Sequence, residues 1–292
     1  MDSLVDSYLV PVVNGFAYGL LLFTVAAGLT LALGVADVLN LAHGGVYVAG
    51  GYAAVTLVNG SWSGLLLAIL VAVAFGTVFG GGLSLAVAPL LKRGHLPQML
   101  LTFGISLVLG ALLVDVFGAD DLRPRLPAEL TGSVFLAGHR YPGYRLAFIA
   151  IAATLALIGW LVITRTRLGA RVRAMVDDAD MVACLGINPR MVLAGVMAVA
   201  CGLAALAGTL GAPILGPGPA ASHQVMIMSL VIVVVGGLGS IPGAFVAAIV
   251  VGQIQSLGVV VFKPWAPYLV PLVMGVALVL RRRRLPALAG AR

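Results

Sequence analysis

VLNLAHGGVYVAGGYAAVTLVNGSWSGLLLAILVAVAFGTVFGGGLSLAVAPLL runs from Val38 to Leu91 without a charged side chain. As one helix, its 54 residues would reach roughly 81 Å at about 1.5 Å per residue. The hydrocarbon core of a bilayer is only about 30 Å thick, so the run must fold back at least once. Asn59-Gly60-Ser61-Trp62-Ser63-Gly64 supplies the breaker, a tight turn with a tryptophan at the membrane interface.

The rest of the chain repeats the pattern. Ser7–Ala36 is uncharged, Gly94–Val114 and Leu146–Thr164 each read as a span, and Met191–Phe262 is uncharged over 72 residues. Pro213, Pro217, Pro219 and the GGLGSIPG run divide that last stretch into three, and Pro264–Leu280 closes the series. The count is eight or nine membrane segments in an all-α polytopic protein. Some are broken or re-entrant, above all beside Val38–Gly45 and Gly236–Gly243. One transmembrane domain is expected over 1–292.

Bulk composition agrees. The 292 residues are 61% hydrophobic and 9% charged, with a mean hydropathy of +1.14. Soluble domains are about 45–50% apolar and about 25% charged. The net charge of +7 comes from 17 basic and 10 acidic residues. In such a chain it reports orientation rather than nucleic-acid binding. Cys184 and Cys201 are too few for a disulfide framework or a zinc knuckle and read as packing residues. The N-terminal MDSLVDSYLV has two acids and no base, which is not a signal-peptide n-region.

The positive-inside rule orients the spans. With Thr164–Arg190 and the Arg281–Arg284 tail in the cytoplasm, twelve of the seventeen basic residues fall inside. Arg123, Arg125, Arg140, Arg145 and Lys263 fall outside. The C-terminus is then cytoplasmic, the N-terminus is outside if there are nine spans, and 119–144 is the largest outside loop. Arg281–Arg284 reads as a stop signal drawn to anionic membrane lipid.

Residues 164–190 hold five arginines and three aspartates. At about 2.5–3.5 kcal/mol each, burying those charges in the membrane would cost on the order of 20 kcal/mol or more, so the island is a cytoplasmic loop. Its good helix formers predict two short helices, about Gly169–Val176 and Asp178–Leu185. Asp177, Asp178 and Asp180 serve as caps or a first turn, Gly186 as the stop, and Asn188-Pro189 opens the next segment. Such an island is either a topological anchor or a docking surface for a cytoplasmic protein. Docking is preferred because the chain lacks other sources of power. It has no GxxxxGK[ST] loop, and its only lysines are Lys92 and Lys263. His43, Asp37 and Asp115 stand near segment ends, so the buried ionisable groups of an ion-coupled transporter are missing.

GLTLALGVADVLNLAHGGVYVAGGYAA (Gly28–Ala54), LLTFGISLVL (Leu100–Leu109), RVRAMVDDADMVACLGIN (Arg171–Asn188) and VVVGGLGSIPGAFVAAIVVG (Val233–Gly252) resemble, in order, the permease subunits of ABC importers for branched-chain amino acids. The resemblance implies two permease subunits, identical or different, around one path. It also implies two cytoplasmic ATPase subunits that bind ATP and magnesium, an extracytoplasmic substrate-binding protein, and a bacterial inner membrane. No cofactor belongs to this chain itself. The island would be the coupling loop, with Arg171, Asp177, Asp178, Asp180, Ala183, Gly186, Ile187 and Asn188 as candidates. Asp180–Gly186 is only a degenerate match to the family's coupling pattern. Related permeases serve amides or urea, which stay open as substrates.

Two glycine-rich elements interrupt the spans. Asn40, Ala42, His43 and Gly44 form the first. Gly236, Gly237, Gly239, Ser240, Gly243 and Ala244 form the second. Non-helical backbone inside a membrane needs protein or a water-filled path to satisfy it. Each element therefore reads as a broken helix facing the substrate or as a close helix contact, with His43 capping a neighbour's carbonyl. The pair suggests an internal repeat. Thr102 and Ser106 share a helix face and either line the path or bond their own helix. Gly15/Gly19, Gly76/Gly80 and Ala244/Ala248/Gly252 have the spacing of close helix packing or of a subunit contact. A lipid-directed membrane enzyme would need a reactive set at one face, and His95 and His139 fall on opposite sides. A self-sufficient facilitator is the other alternative.

Overall fold

The computed structural model describes residues 2–282 apart from 119, 121, 137, 138, 178 and 185. Helix α1 (Asp2–Ala36) leads to α2 (His43–Leu57), α3 (Trp62–Val87), a 3-10 turn (Ala88–Arg93) and α4 (His95–Phe117). A four-residue helix, α5 (Ala128–Thr131), precedes an antiparallel hairpin of β1 (Ser133–Leu136) and β2 (His139–Pro142), registered Ser133 to Pro142 and Leu136 to His139. Then come α6 (Gly143–Arg165), α7 (Arg167–Asp177), α8 (Ala179–Cys184), α9 (Pro189–Gly211), α10 (Pro219–Gly236), α11 (Ile241–Val261) and α12 (Ala266–Arg282). The protein is an all-α polytopic membrane protein.

Among the described residues, seven helices are long and apolar enough to cross a membrane: α1, α3 with the turn that follows it, α4, α6, α9, α10 and α11. The remaining two expected segments are shorter. Helix α2 has 15 residues and α12 has 17, or roughly 22 Å and 25 Å of helix. The first is short because the chain spends Asp37–Ala42 in non-helical backbone before α2 begins.

Burial separates centre from periphery. Within their apolar windows, 67% of α1 and 56% of α9 are buried, against 6% of α4 and 11% of α6. Helix α9 packs on α3, α2 and α1, and α1 packs along α11. The crossings fall on the small residues picked out by spacing. A Cβ at Gly19 would stand 2.8 Å from the Ala248 carbonyl oxygen, and one at Gly252 would stand 2.6 Å from Gly19 Cα. On α3, Gly76 and Gly80 meet the Cys201 and Met197 carbonyls of α9 in the same way. Backbones that close gain dispersion and leave no room for lipid between them. On α4, Leu100, Val108, Leu112 and Val116 stay exposed, as a bilayer-facing surface allows.

The two ends of the bundle differ. At one, the end of α1, the 3-10 turn, Met175 of α7 and Arg190 of α9 surround a common cavity. At the other, Tyr141 of β2 and Arg145 of α6 both donate to Asn14 Oδ1 of α1. There Asn59 bridges Arg125, and Gly60 N–H donates to the Arg125 carbonyl at 2.8 Å. Lys92 thus shares the island's end, while Arg125, Arg140 and Arg145 share the opposite one. The hairpin within 119–144 goes beyond the loop expected there. Its order comes from Tyr141, which is buried against α1.

Candidate functional site

The break between α1 and α2 is a polar knot. Asp37 turns the chain with φ of 51°, the left-handed region, which is unusual for a residue other than glycine. Asn40 follows, fully buried. Its Oδ1 accepts from Ala42 N–H at 3.0 Å and its Nδ2 donates to Cys201 Sγ of α9 at 3.5 Å. Leu41 N–H donates to Thr102 Oγ1 of α4 at 3.0 Å. The same hydroxyl lies 2.9 Å from the Gln98 carbonyl and 3.2 Å from the Leu39 carbonyl. His43 opens α2, and its Nε2 lies 2.9 Å from the Val25 carbonyl of α1. Gly44 lets α2 touch α10, where a Cβ would overlap the Ser222 carbonyl. The partners that the knot's backbone finds are protein groups, whereas His43 Nδ1 and Gln98 Oε1 are buried without a hydrogen-bond partner among the described residues.

The second glycine-rich element lies elsewhere. Gly236 ends α10, Gly237 and Gly239 take φ of 103° and 75°, and Ser240 caps α11 by accepting from Gly243 N–H at 3.2 Å. Leu238 at its tip is exposed. Gly239 lies against Gly34 near the end of α1. With Trp160, Thr164, Val172 and Arg173, Gly239 and Ser240 line a cavity of about 240 Å³ at the island's end. The sequence-predicted path residues therefore form two groups. Asn40, His43, Gly44 and Thr102 meet in the knot. Gly236, Gly237, Gly239 and Ser240 form a separate turn.

Ser106 belongs to neither group. It lines a cavity of about 440 Å³ between α2, α4 and α10, together with Gly45, Val48, Tyr52, Asp115, Pro219, Ser222 and His223. The cavity runs from Tyr52 and Asp115, toward the hairpin end, down to Gly45 and Ser106 beside the knot. At the island's end lies the cavity of about 590 Å³ lined by Gly34, Asp37, Lys92, Met175, Arg190 and Leu193. The knot stands between the two. Counting charge in the sequence passes over His223, because a neutral histidine carries none, and leaves Asp115 as a residue near a helix end. A lone acid in the last turn of an otherwise uncharged helix was the available signal.

The island's two helices are α7 and α8. Thr166 accepts from Gly169 N–H at 3.2 Å, and Arg173 donates to the Ile163 carbonyl, which ties α7 to the end of α6. Gly186 takes φ of 81°. Its N–H donates to the Ala183 carbonyl at 3.0 Å, and Ile187 N–H donates to the Val182 carbonyl at 3.3 Å, the paired bonds of a glycine helix stop. Asn188 Oδ1 then accepts from Arg190 N–H at 2.9 Å and caps α9, with Pro189 at its first position. Arg171, Ala183, Gly186 and Asn188 are exposed, and Ile187 is half-buried. Asp177 ends α7 and Asp180 lies within α8, whereas Asp178 falls outside the described residues.

Comparison with known proteins agrees with this architecture. A family model described as the permease component of branched-chain amino acid transport systems matches residues 12–280. The high-affinity branched-chain amino acid transport system permease protein BraD of Pseudomonas aeruginosa is 29% identical over 272 residues, covering 87% of each chain. LivH of Escherichia coli K12, a permease protein of the same description, is 25% identical over 271 residues, covering 86% of this chain and 85% of its own. A probable branched-chain amino acid transport permease protein LivH of Methanocaldococcus jannaschii is 27% identical over 248 residues, covering 82% and 78%. No solved structure matches the chain. The chain belongs to the family of branched-chain amino acid transport permease components.

Proposed function

We propose that this permease carries branched-chain amino acids inward across a bacterial inner membrane, paired with a second permease subunit, identical or different, and driven by two cytoplasmic ATPase subunits. An extracytoplasmic binding protein delivers the substrate, and ATP and magnesium belong to the ATPases. The hairpin end then faces outward and the island's end faces the cytoplasm, with the N-terminus outside and the C-terminus inside. The observation that carries the reading is the pair of cavities, about 440 Å³ toward the hairpin and about 590 Å³ toward the island, with the Asn40–Thr102 knot between them. Such a layout suits alternating access, in which the bonds of the knot hold one side shut while the other is open.

The island supplies the drive in this reading. Its helices project at the end of the bundle, with Arg171, Met181 and Ala183 exposed for a partner, while Arg173 and Gly169 fasten α7 to α6. Helix α7 also stands between the 590 Å³ cavity, through Met175, and the 240 Å³ cavity, through Val172 and Arg173. A push on α7 would therefore reach α6, α1 and α9, the long helices that it packs against. The relatives' names favour branched-chain amino acids over amides or urea as cargo.

Two variants in the reconstituted complex test this. Gly110 lines the outer cavity, and a Cβ there meets open space. Gly110→Trp should therefore assemble normally and stop leucine uptake. Uptake at the unmodified rate would show that the cavity is not the path. Gly186→Trp should lower substrate-stimulated ATP hydrolysis and uptake together, because tryptophan disfavours the left-handed backbone of the α8 stop. Full coupling in that variant would reduce the island to an anchor.

A further inference from the structure

The outer cavity carries an unusual pair of groups. Apart from the Tyr52 phenol, its ionisable lining consists of Asp115 on α4 and His223 on α10, set among Val48, Leu107, Leu113, Val114 and other apolar or small residues. Asp115 is exposed and sits in the last turn of α4. An acid at a helix C-terminus works against the helix dipole. Among the described residues no cation forms a salt bridge with it. Local stability therefore does not explain why this one acid interrupts an apolar helix face. His223 Nδ1 lies 3.3 Å from the Pro219 carbonyl. A carbonyl only accepts, so Nδ1 carries a proton toward it, which leaves Nε2 as the acceptor in the neutral tautomer. No lysine or arginine lines the cavity. The wall thus combines a carboxylate with a second acceptor beside an apolar slot.

We infer that Asp115, assisted by His223, receives the α-ammonium group of the amino acid in the outer cavity, with the aliphatic side chain against Val48, Leu107 and Leu113. This rests on the reading of that cavity as the path. An ammonium brings three N–H donors and a positive charge, matching the Asp115 carboxylate and the Nε2 acceptor of that His223 tautomer. A carboxylate would meet no cation on this wall, so the substrate's carboxylate lies toward the open side. The arrangement selects for a charged amine carrying an apolar tail, and it rejects the corresponding acid.

The test uses the assembled permease–ATPase complex in nanodiscs, with thermal unfolding followed in the presence of L-leucine, 3-methylbutylamine or 4-methylpentanoate. Leucine and the amine should raise the unfolding temperature, and the acid should not. Asp115→Asn should lose the response to both active compounds, and Asp115→Glu should keep it. In vesicles supplied with binding protein, Asp115→Asn should lower leucine uptake about tenfold, the scale of one charge-assisted hydrogen bond. Equal protection by acid and amine, no shift with either leucine or amine, or an undiminished response in Asp115→Asn would each overturn the inference. The Gly110→Trp variant separates the two levels. If it blocks uptake while Asp115→Asn transports at the unmodified rate, the ammonium site falls and the path stands. If Gly110→Trp also transports normally, the path reading falls and takes the ammonium site with it.

Discussion

The chain breaks its apolar helices at two glycine-rich points, Asn40–Gly45 and Gly236–Ser240, and each break is held by different physics. At the first, side chains from distant helices do the holding: Thr102 of α4 binds Leu41 N–H, and Cys201 of α9 meets Asn40. At the second, the turn holds itself. Gly237 and Gly239 adopt positive φ, and Ser240 caps the helix that follows it. The first break therefore senses how α4 and α9 move. The second senses mainly its own backbone and the neighbouring Gly34. A motif rich in glycine thus has two separable uses in one membrane protein, a joint wired to other helices and a tight corner.

The contrast is easiest to break at Thr102. Replacing Thr102 by Val leaves the part-buried Leu41 N–H without its acceptor, which should cost about 2 kcal/mol. The loss would appear as a lower unfolding temperature of the complex in detergent, and Thr102→Ser should recover most of it. If Thr102→Val melts with the unmodified protein, the first break is not held from α4. A smaller effect is expected at the corner. Gly239→Ala forces a Cβ into φ of 75°, at roughly 1–2 kcal/mol, and brings that Cβ 3.2 Å from Gly34 Cα. Its cost should be unaffected by a simultaneous Thr102→Val, since the two breaks share no bond. A double-mutant cycle with clear coupling would erase the distinction. Smallest is the cap. Ser240→Ala should cost about 1 kcal/mol, with Ser240→Asp restoring the loss. Failure of Asp to rescue would mean that the Gly243 N–H does not depend on this side chain.

The cavities extend the comparison to function. The outer one ends on the first break, through Gly45 and Ser106. The second break lines a small cavity on the island's side, shared with Arg173 of α7. If motion of α7 is what switches access, it reaches the second break across the cavity they share, and the first through α1 and through α9, which carries Cys201.

The sequence by itself determined the spans, their order and the island. Those follow from hydropathy over about 20 residues and from the cost of burying charge, which act locally along the chain. It also determined the ends of several elements. Gly186 stops α8, Asn188-Pro189 starts α9, and Asn59–Gly64 turns α2 into α3, because caps and turns use neighbouring residues. The small-residue spacings marked faces for close packing for a related reason, since only a flat helix face admits another backbone, while the structure paired α1 with α11 and α3 with α9. Tertiary structure alone decided what holds the first glycine-rich break, because its acceptors, Thr102 and Cys201, come from helices distant in the chain. It alone also joined Val48, Ser106, Asp115 and His223 into one wall. Those residues come from α2, α4 and α10, and no local rule fixes which faces of three separate helices will meet.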